Sequence, residues 1–430
     1  MAKEKIITGI DVGSSKVSTI VAAVNENKIS VIGVSKVTSN GVRRGCVNDI
    51  DDAVESISSS LEKAERMSGV SVSVAFVTVG GSHIESLNSH GVVAVSHQGA
   101  EIGIEDVSRV TEAAQAVSLP SEREIIHVIP RDFIVDSQDG IRDPVGMSGI
   151  RLEVETNVIH GSATAMKTLA KCISQVGVNV EDMVYVGVAS SEAVLTDTEK
   201  ELGTLLVDIG GGTTSLISFY DGSPIFSSVI PIGGRHVTND LATIGFRANM
   251  EVAEKIKLRL SEEKGDFMIQ NSEKRNDVID VTGYGLESNT IQKKLLYEII
   301  DVRLTEIFKL IEIEIKKSEL VGKIPAGIVV TGGASLTAGL ERIAKSVLKM
   351  PVRIGYPKGV TGLIDEIEGP AFSATIGSII YGSKLVKSTT SLSFDKSRGK
   401  ISSILPKFFG KLKSFLPAEQ PFGRRWHTVQ

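Results

Sequence analysis

Cysteine is scarce in this chain, and the two that occur, Cys46 and Cys172, are far apart and form no CxxC pair. This usage is typical of a protein from a reducing compartment and argues against a disulfide framework. We expect both side chains to behave as small buried hydrophobes.

Long apolar runs are absent as well. No segment approaches the roughly 18–20 apolar residues that a transmembrane helix needs. The opening sequence, MAKEKIITGIDVG, lacks the apolar core of a signal peptide. We therefore expect the protein to stay on the cytosolic side of the membrane.

Basic residues are not in excess, since 47 Lys and Arg stand against 52 Asp and Glu, a formal net charge of −5. This mild acidity argues against a nucleic-acid partner, which requires a basic face. The seven histidines are scattered, and no Ser-His-Asp set or metal-binding cluster stands out. Phosphoryl transfer to water is the one candidate reaction that these residues leave open.

The 430 residues suffice for two or more folded cores. Strand-like segments at 6–11, 17–24 and 29–34 precede an amphipathic helix at about 49–67, and a strand at 183–188 closes the first half. The succession of strand, Asp, Gly and small polar loop at residues 8–16 returns at residues 204–214. This repeat predicts a duplicated domain.

Three glycine-containing loops follow predicted strands, at residues 11–16, 208–214 and 331–336. Backbone N–H groups bind phosphate where small side chains allow close approach. Asp11 and Asp208 stand at two of the strand ends, and carboxylates suit Mg²⁺, which also binds substrate phosphates. With Lys16 to neutralise phosphate charge, these loops predict a nucleotide site.

The loop motifs DxG, DxGGGT and VxTGGA resemble those of the actin, Hsp70 and sugar-kinase superfamily. Within it, the chain is similar to the FtsA family of actin-like bacterial cell-division proteins over about residues 5–385. The segments that carry the similarity are HVIP at 127–130, DPVGMSG at 143–149, ASS at 189–191, VLT at 194–196, GGGT at 210–213 and AGIVVTGG at 326–333.

The resemblance implies an α/β, actin-like ATPase fold with two lobes of duplicated sheet-and-helix domains and a C-terminal amphipathic helix. It implies ATP as the nucleotide and Mg²⁺ held through water by Asp11 and Asp208. Glu254 and Lys257 would contact the ribose, and residues 332–334 would face the adenosine. The implied nucleotide-site residues are Asp11, Gly13, Ser14, Ser15, Lys16, Asp208, Gly210, Gly211, Gly212, Thr213, Glu254, Lys257, Gly332, Gly333 and Ala334.

The family also implies a division into domains. The implied ranges are 1–82 and 163–203 for the first lobe, 83–162 for an inserted subdomain, 204–236 and 301–385 for the second lobe, 237–300 for its smaller subdomain, 386–400 for a flexible linker, 401–417 for the amphipathic helix and 418–430 for a tail.

The implied partners are the C-terminal peptide of FtsZ, further copies of the chain in a homopolymer, and later division proteins bound through residues 83–162. Arg303 and Glu306 match the family pattern at the FtsZ groove. The resemblance thus implies a protein that polymerises on the inner face of the cytoplasmic membrane at the division site and tethers FtsZ filaments there.

The C-terminal segment differs from the rest of the chain in charge. From residue 398 onward seven Lys and Arg stand against one acid, so this segment carries +6 and the remainder −11. Its apolar residues recur at helical spacing with lysines on the other arc, which is typical of a helix lying on an anionic bilayer as a peripheral anchor. The expected membrane contacts are Ile404, Leu405, Phe408, Phe409, Leu412, Phe415 and Leu416, with Lys407, Lys411 and Lys413 on the basic side. Pro406 shortens the helix, so stable attachment would need many anchors in one polymer.

Catalysis is expected to be weak at most. Glu192 falls where actin has its water-positioning glutamine, so the resemblance implies slow ATP hydrolysis and a mainly scaffolding role. Two alternatives remain on the same fold: a sugar- or acetate-type kinase and an actin-like pilus-assembly platform. Neither is expected to carry the basic tail.

Overall fold

The structure is a computed structural model that describes residues 5–25, 28–95, 101–262, 277–286 and 288–393. Two compact units are present. The described residues of the first lie within Met1–Asn88, Ser118–His127 and Asn157–Ser383, and those of the second within Ser89–Val117, Val128–Thr156 and 384–393.

The described residues form nineteen strands. In chain order they are β1 (Lys5–Val12), β2 (Lys16–Asn25), β3 (Lys28–Thr38), β4 (Val42–Arg43), β5 (Cys46–Val47), β6 (Val74–Val79), β7 (Glu85–Ala94), β8 (Arg123–Val135), β9 (Gln138–Ile141), β10 (Arg151–Ser162), β11 (Asn179–Tyr185), β12 (Thr204–Ile209), β13 (Thr214–Tyr220), β14 (Ser223–Ile230), β15 (Val278–Asp280), β16 (Thr290–Gln292), β17 (Ile328–Thr331), β18 (Val352–Ile354) and β19 (Thr361–Gly362).

The same residues form ten α-helices, together with a π-helical turn at Leu241–Gly245 and 3₁₀ turns at Ile364–Glu366 and Pro370–Phe372. The α-helices are α1 (Ile50–Ser68), α2 (Ile104–Gln115), α3 (Ala163–Gln175), α4 (Val186–Val194), α5 (Asp197–Leu202), α6 (Gly234–Asp240), α7 (Met250–Glu262), α8 (Lys293–Lys317), α9 (Leu340–Leu348) and α10 (Ser373–Ser393).

The first unit holds two sheets of the same construction, one in each lobe. The first lobe orders its strands β11-β6-β1-β2-β3, with β19 added at the edge, and the second lobe orders its strands β18-β17-β12-β13-β14. In each lobe three antiparallel strands are extended by parallel strands on one side. The predicted duplication and the α/β fold class are therefore confirmed.

Local sequence explains where the long helices begin and which face they bury. Asp49 caps α1 by accepting a hydrogen bond from the backbone N–H of Asp52 at 3.1 Å, and Gly69 ends it in the left-handed conformation. The 25-residue helix α8 buries one stripe at intervals of three and four residues, which packs into the core of the second lobe. That stripe consists of Leu296, Ile300, Leu304, Ile307, Phe308, Ile311 and Ile315.

The second unit has a core of its own. Its strands run in the order β7-β10-β8-β9, and α2 contributes Val107, Val110 and Ala114 to a buried cluster with Phe133 and Leu152. The predicted subdomain boundaries at 83–162 stay a prediction.

Three local expectations differ from the structure. The strand predicted at 183–188 ends at Tyr185, and α4 begins at Val186, because a short apolar run does not distinguish a strand from a buried helix. Helix α10 continues to Ser393, eight residues into the predicted linker, since residues 386–393 contain no Pro or Gly to end it. Cys172 is buried as expected, but Cys46 is only half-buried.

Candidate nucleotide-binding site

A row of polar residues crosses the first sheet near the ends of its central strands. Thr78 of β6 pairs with Asp11 of β1, and Asp11 pairs in turn with Ser18 of β2. The Asp11 carboxylate accepts hydrogen bonds from Thr78 Oγ1 at 2.5 Å and from Lys16 Nζ at 3.1 Å. Lys16 also donates to Ser18 Oγ at 3.1 Å, so the charged pair is held against the sheet.

The second lobe repeats this row. Thr331 of β17 pairs with Asp208 of β12, and Asp208 pairs with Ser215 of β13. The Asp208 carboxylate accepts a hydrogen bond from Ser190 Oγ of α4 at 2.5 Å. Both lobes therefore present Thr, Asp and Ser in the same strand order, although only the aspartates were recognised in the sequence repeat.

The first two glycine-containing loops make the same turn and face each other. Gly13 N–H donates to the Lys16 carbonyl at 3.0 Å, and Gly210 N–H donates to the Thr213 carbonyl at 2.9 Å. A Cβ on Gly211 would lie 2.6 Å from Ser15 Oγ, which is too close for any real side chain. Glycine is thus required here for the approach of one lobe to the other.

The third loop follows β17 and lies against the second. Gly332 has φ +89°, a conformation that favours glycine, and a Cβ there would lie 2.3 Å from Asp208 Oδ1. Ala334 N–H donates to the Ile209 carbonyl at 3.0 Å. The adenosine-facing loop predicted from the sequence is therefore packed directly against the aspartate of the second loop.

Helix α7 supplies a charged pair. Lys257 Nζ donates to Glu254 Oε2 at 2.7 Å and to Thr238 Oγ1 at 2.9 Å. Thr238 also donates to Glu254, so the three side chains form a closed set of hydrogen bonds. Lys257 is only 5% exposed. The pair therefore stabilises the packing of α7 against α6, and its predicted contact with the ribose stays a prediction.

These elements enclose one cleft of about 790 Å³. All fifteen nucleotide-site residues predicted from the sequence line it. A volume of this size is within the range of small-molecule and cofactor sites.

The two aspartates influence each other electrostatically. Burial raises the pKa of Asp208 from 3.8 to about 6, the negative charge of Asp11 contributes to the rise, and the Ser190 hydrogen bond opposes it. A divalent cation bound near two buried carboxylates would offset their mutual repulsion, so the pair is suited to bind one. Among the described residues no cluster of three or more His, Cys, Asp or Glu could hold a metal ion.

Several lining residues were missed by sequence reasoning, among them Lys36, Thr78, Arg235 and Thr238. Lys36 and Thr78 lie on strands beside β1 and β2, and their place in the row follows only from strand pairing. Arg235 and Thr238 follow the Gly-Gly pair at residues 233–234, which was the available signal.

Glu192 is not among the residues that line the cleft. Its Oε1 accepts a hydrogen bond from Lys200 Nζ at 2.9 Å, and both side chains are largely buried. On the same helix it is Ser190 that contacts Asp208. The structure therefore does not bring the predicted water-positioning residue to the phosphate loops.

The predicted partner residues lie on α8, outside the cleft. Arg303 donates to both carboxylate oxygens of Asp240, at 2.6 and 2.9 Å, and to Glu306 Oε2 at 2.5 Å. The hydrogen bond to Asp240 is the main cause that raises the pKa of Arg303. An exposed Val302 lies beside it, with 72% of its surface accessible.

The predicted tail helix at 401–417 and its membrane-contacting residues lie outside the described residues. Among the helices that are described, none combines the length and the apolar character required to cross a membrane.

Comparison with protein families gives two matches. The model described as "SHS2 domain inserted in FTSA" matches residues 81–160, and the one described as "Cell division protein FtsA" matches residues 205–377.

Comparison with solved structures supports the fold alone. The chain resembles the PilM–PilN type IV pilus biogenesis complex with a TM-score of 0.61 at 15% identity, over 87% of this chain and 98% of that one. It also resembles MreB5 of Spiroplasma citri bound to ADP, with a TM-score of 0.50 at 16% identity, over 91% and 99% of the two chains.

Curated relatives match nearly the whole length. Cell division protein FtsA of Pseudomonas aeruginosa is 37% identical over 94% of this chain and 95% of its own. The protein of the same name from Borreliella burgdorferi is 39% identical over 94% and 98% of the two chains. Family models, full-length relatives and the two-lobed fold agree, and the chain belongs to the FtsA family of actin-like cell-division proteins.

Proposed function

We propose that this chain is an ATP-dependent membrane scaffold of bacterial cell division. It polymerises on the inner face of the cytoplasmic membrane at the division site and tethers FtsZ filaments there. It also helps to recruit later division proteins through the 83–162 subdomain. Membership of the FtsA family supports the role in division. The cleft, the α8 surface and the basic C-terminal segment support ATP binding, FtsZ binding and membrane attachment, in that order.

The observation that carries the nucleotide part is the repeated Thr-Asp-Ser row with a glycine-containing loop at each aspartate, all on one cleft. The loops at 11–16 and 210–213 would surround the phosphates, and Lys16 would balance their charge. Asp11 and Asp208 would hold Mg²⁺ through water, where the cation would supply neutralisation of phosphate charge. The MreB5 structure with ADP supports a nucleotide in a fold of this kind.

Hydrolysis is proposed to be slow, with ATP acting mainly to hold the lobes together. The water-positioning role of Glu192 stays a prediction, and it would require the side chain to leave Lys200 and turn towards the cleft.

The proposed FtsZ contact is the α8 surface around Arg303. A guanidinium binds carboxylates bidentately, and here Arg303 already does so with Asp240. An acidic peptide would therefore compete with an internal carboxylate, while exposed Val302 offers apolar contact beside it.

The membrane part rests on the basic, apolar segment at 401–417. An interfacial amphipathic helix binds through apolar burial and through attraction of lysines to anionic lipid. Because one short helix binds weakly, polymerisation would multiply the anchors.

Co-sedimentation tests the proposal as a whole. Full-length protein is mixed with FtsZ and anionic vesicles, with and without Mg-ATP. We expect FtsZ to pellet with the vesicles only when the protein and Mg-ATP are both present, and Asp208→Ala to abolish the effect of ATP. Pelleting that is equal with and without ATP would contradict the ATP-dependent scaffold.

A further inference from the structure

The two lobes differ at the fourth position of the repeated row. In the first sheet Ser18 pairs onward with Lys36 of β3, and in the second sheet Ser215 pairs onward with Val229 of β14. Residues directly opposite each other on neighbouring strands share a face of the sheet. Lys36 therefore lies on the same face as Asp11 and Ser18, and only the first lobe carries a charge at this position.

Three of the five basic residues that line the cleft have a carboxylate partner. Lys16 pairs with Asp11 at 3.1 Å, and Lys255 and Lys257 each pair with a glutamate of α7 at 2.7 Å. Lys36 and Arg235 also line the cleft, and within the described part of the chain neither is paired with a carboxylate. These two cations are available for a ligand.

Arg235 reaches the first loop from the opposite lobe. Its backbone N–H donates to the Gly211 carbonyl at 2.8 Å, and its guanidinium donates to the Ser14 carbonyl at 3.0 Å. The side chain thus bridges the two phosphate loops by a hydrogen bond to a neutral acceptor, which an anion would replace with a stronger one.

We propose that Lys36 and Arg235, reaching the cleft from opposite lobes, bind the terminal phosphate of the nucleotide and so determine the preference for ATP over ADP. This rests on the proposed nucleotide function. A diphosphate would fill the loops at 11–16 and 210–213 but would leave these two cations without an anion. A triphosphate would satisfy both and would join β3 of the first lobe to α6 of the second.

The electrostatic environment of Lys36 agrees with an anion subsite. Burial lowers its pKa, the charge of Lys16 lowers it further, and Glu254 acts in the opposite direction. Two neighbouring lysines repel each other, and a phosphate between them removes that repulsion.

Calorimetric titration of the full-length protein with Mg-ATP and Mg-ADP tests the proposal. The variants are Lys36→Met and Arg235→Met, which keep the side-chain bulk without the charge. Lys28→Met, at the other end of the same strand and away from the cleft, is the matched control. Melting curves of all variants establish that each is folded.

We expect each cleft variant to bind ATP roughly tenfold to a hundredfold more weakly, as for loss of one charged hydrogen bond, and ADP within about threefold of wild type. The control should match wild type for both nucleotides. An unchanged ratio of ATP to ADP affinity in both cleft variants would overturn this proposal and leave nucleotide binding intact. A wild-type protein that binds neither nucleotide would instead overturn the proposed function, and this inference with it.

Discussion

At Asp208 the stability of the folded protein and the proposed binding of Mg-ATP make opposite demands on the carboxylate. Its pKa is raised to about 6, so the folded protein binds the proton more tightly than the unfolded chain does. The stabilisation from that proton is fully present below the unfolded pKa and is lost as the pH rises through about 6. At neutral pH the charged carboxylate therefore destabilises the nucleotide-free protein.

The first prediction concerns Asp208→Asn. The amide can still accept the Ser190 hydrogen bond but carries no charge, so the variant should be more stable than wild type at pH 8, by an amount of the order of 2–3 kcal/mol. The gain should shrink towards pH 5, while Mg-ATP binding is lost. Urea unfolding at both pH values, with exposed Asp139→Asn as control, measures this. A variant less stable than wild type by the same amount at both pH values would contradict the argument.

A second prediction concerns Arg303→Glu. The substitution places a carboxylate beside Asp240 and Glu306, where the guanidinium now binds both, and we expect binding of the acidic C-terminal peptide of FtsZ to weaken at least about tenfold. Fluorescence titration with the peptide measures it. Lys309→Glu reverses a charge on the same helix and serves as control. Equal losses in both variants would indicate a long-range charge effect instead of a groove at Arg303.

At the scale of elements, α4 and α10 connect the two sheets. At the start of α10, Ser373 Oγ lies 2.6 Å from Thr331 Oγ1 of the second lobe. Thr375 Oγ1 of the same helix lies 2.7 Å from Ser18 Oγ of the first lobe. The helices touch so closely that a Cβ on Gly377 would lie 1.7 Å from the Ala189 carbonyl oxygen. The absence of a side chain at Gly377 therefore sets the separation of α4 and α10. The positions of Ser18 and Ser190 beside the two aspartates depend on that separation.

The third prediction is that Gly377→Ala destabilises the protein. Gly to Ala in a helix interior normally stabilises by about 1 kcal/mol, but here the helices must separate, at a cost of about 3 kcal/mol. The net loss of about 2 kcal/mol should lower Tm by roughly 2–3 °C in a chain of this length. Gly369→Ala, where a Cβ meets nothing within 4 Å, should change Tm little. Differential scanning calorimetry measures both. A rise in Tm for Gly377→Ala would mean that helix propensity outweighs packing.

At the scale of the whole molecule, the proposed membrane attachment depends on a segment beyond the two lobes. The fourth prediction is that truncation after Ser397 abolishes pelleting with anionic vesicles, because the +6 segment and its apolar arc are removed together. Phe408→Glu combined with Leu412→Glu should do the same while leaving the melting curve unchanged. Vesicle pelleting of the truncated protein at the wild-type level would locate the anchor elsewhere.

Much of the lining of the candidate cleft could be predicted from the sequence because its residues are local in the chain. A strand, an aspartate and a glycine-containing loop form one continuous motif, and both copies lie on the cleft as predicted. Lys36 and Thr78 could not be assigned in this way, since each joins the site through a neighbour on another strand. Glu192 was predicted from its correspondence to the water-positioning glutamine of actin, but its side chain does not line the cleft.

The sequence by itself predicted the duplication, the three loops and the basic charge of the tail, because strand alternation, glycine placement and charge can each be read from one continuous stretch of chain. The family and its two-lobed fold were implied by the resemblance of its motifs to those of FtsA proteins. The tertiary structure alone decided which side chains meet. It paired Lys16 with Asp11, Arg303 with Asp240 and Glu192 with Lys200, and it raised the pKa of Asp208 by burying it beside a second carboxylate. Such contacts depend on strand register and on the separation of packed helices, and these are set by close-packing of residues that are remote in sequence.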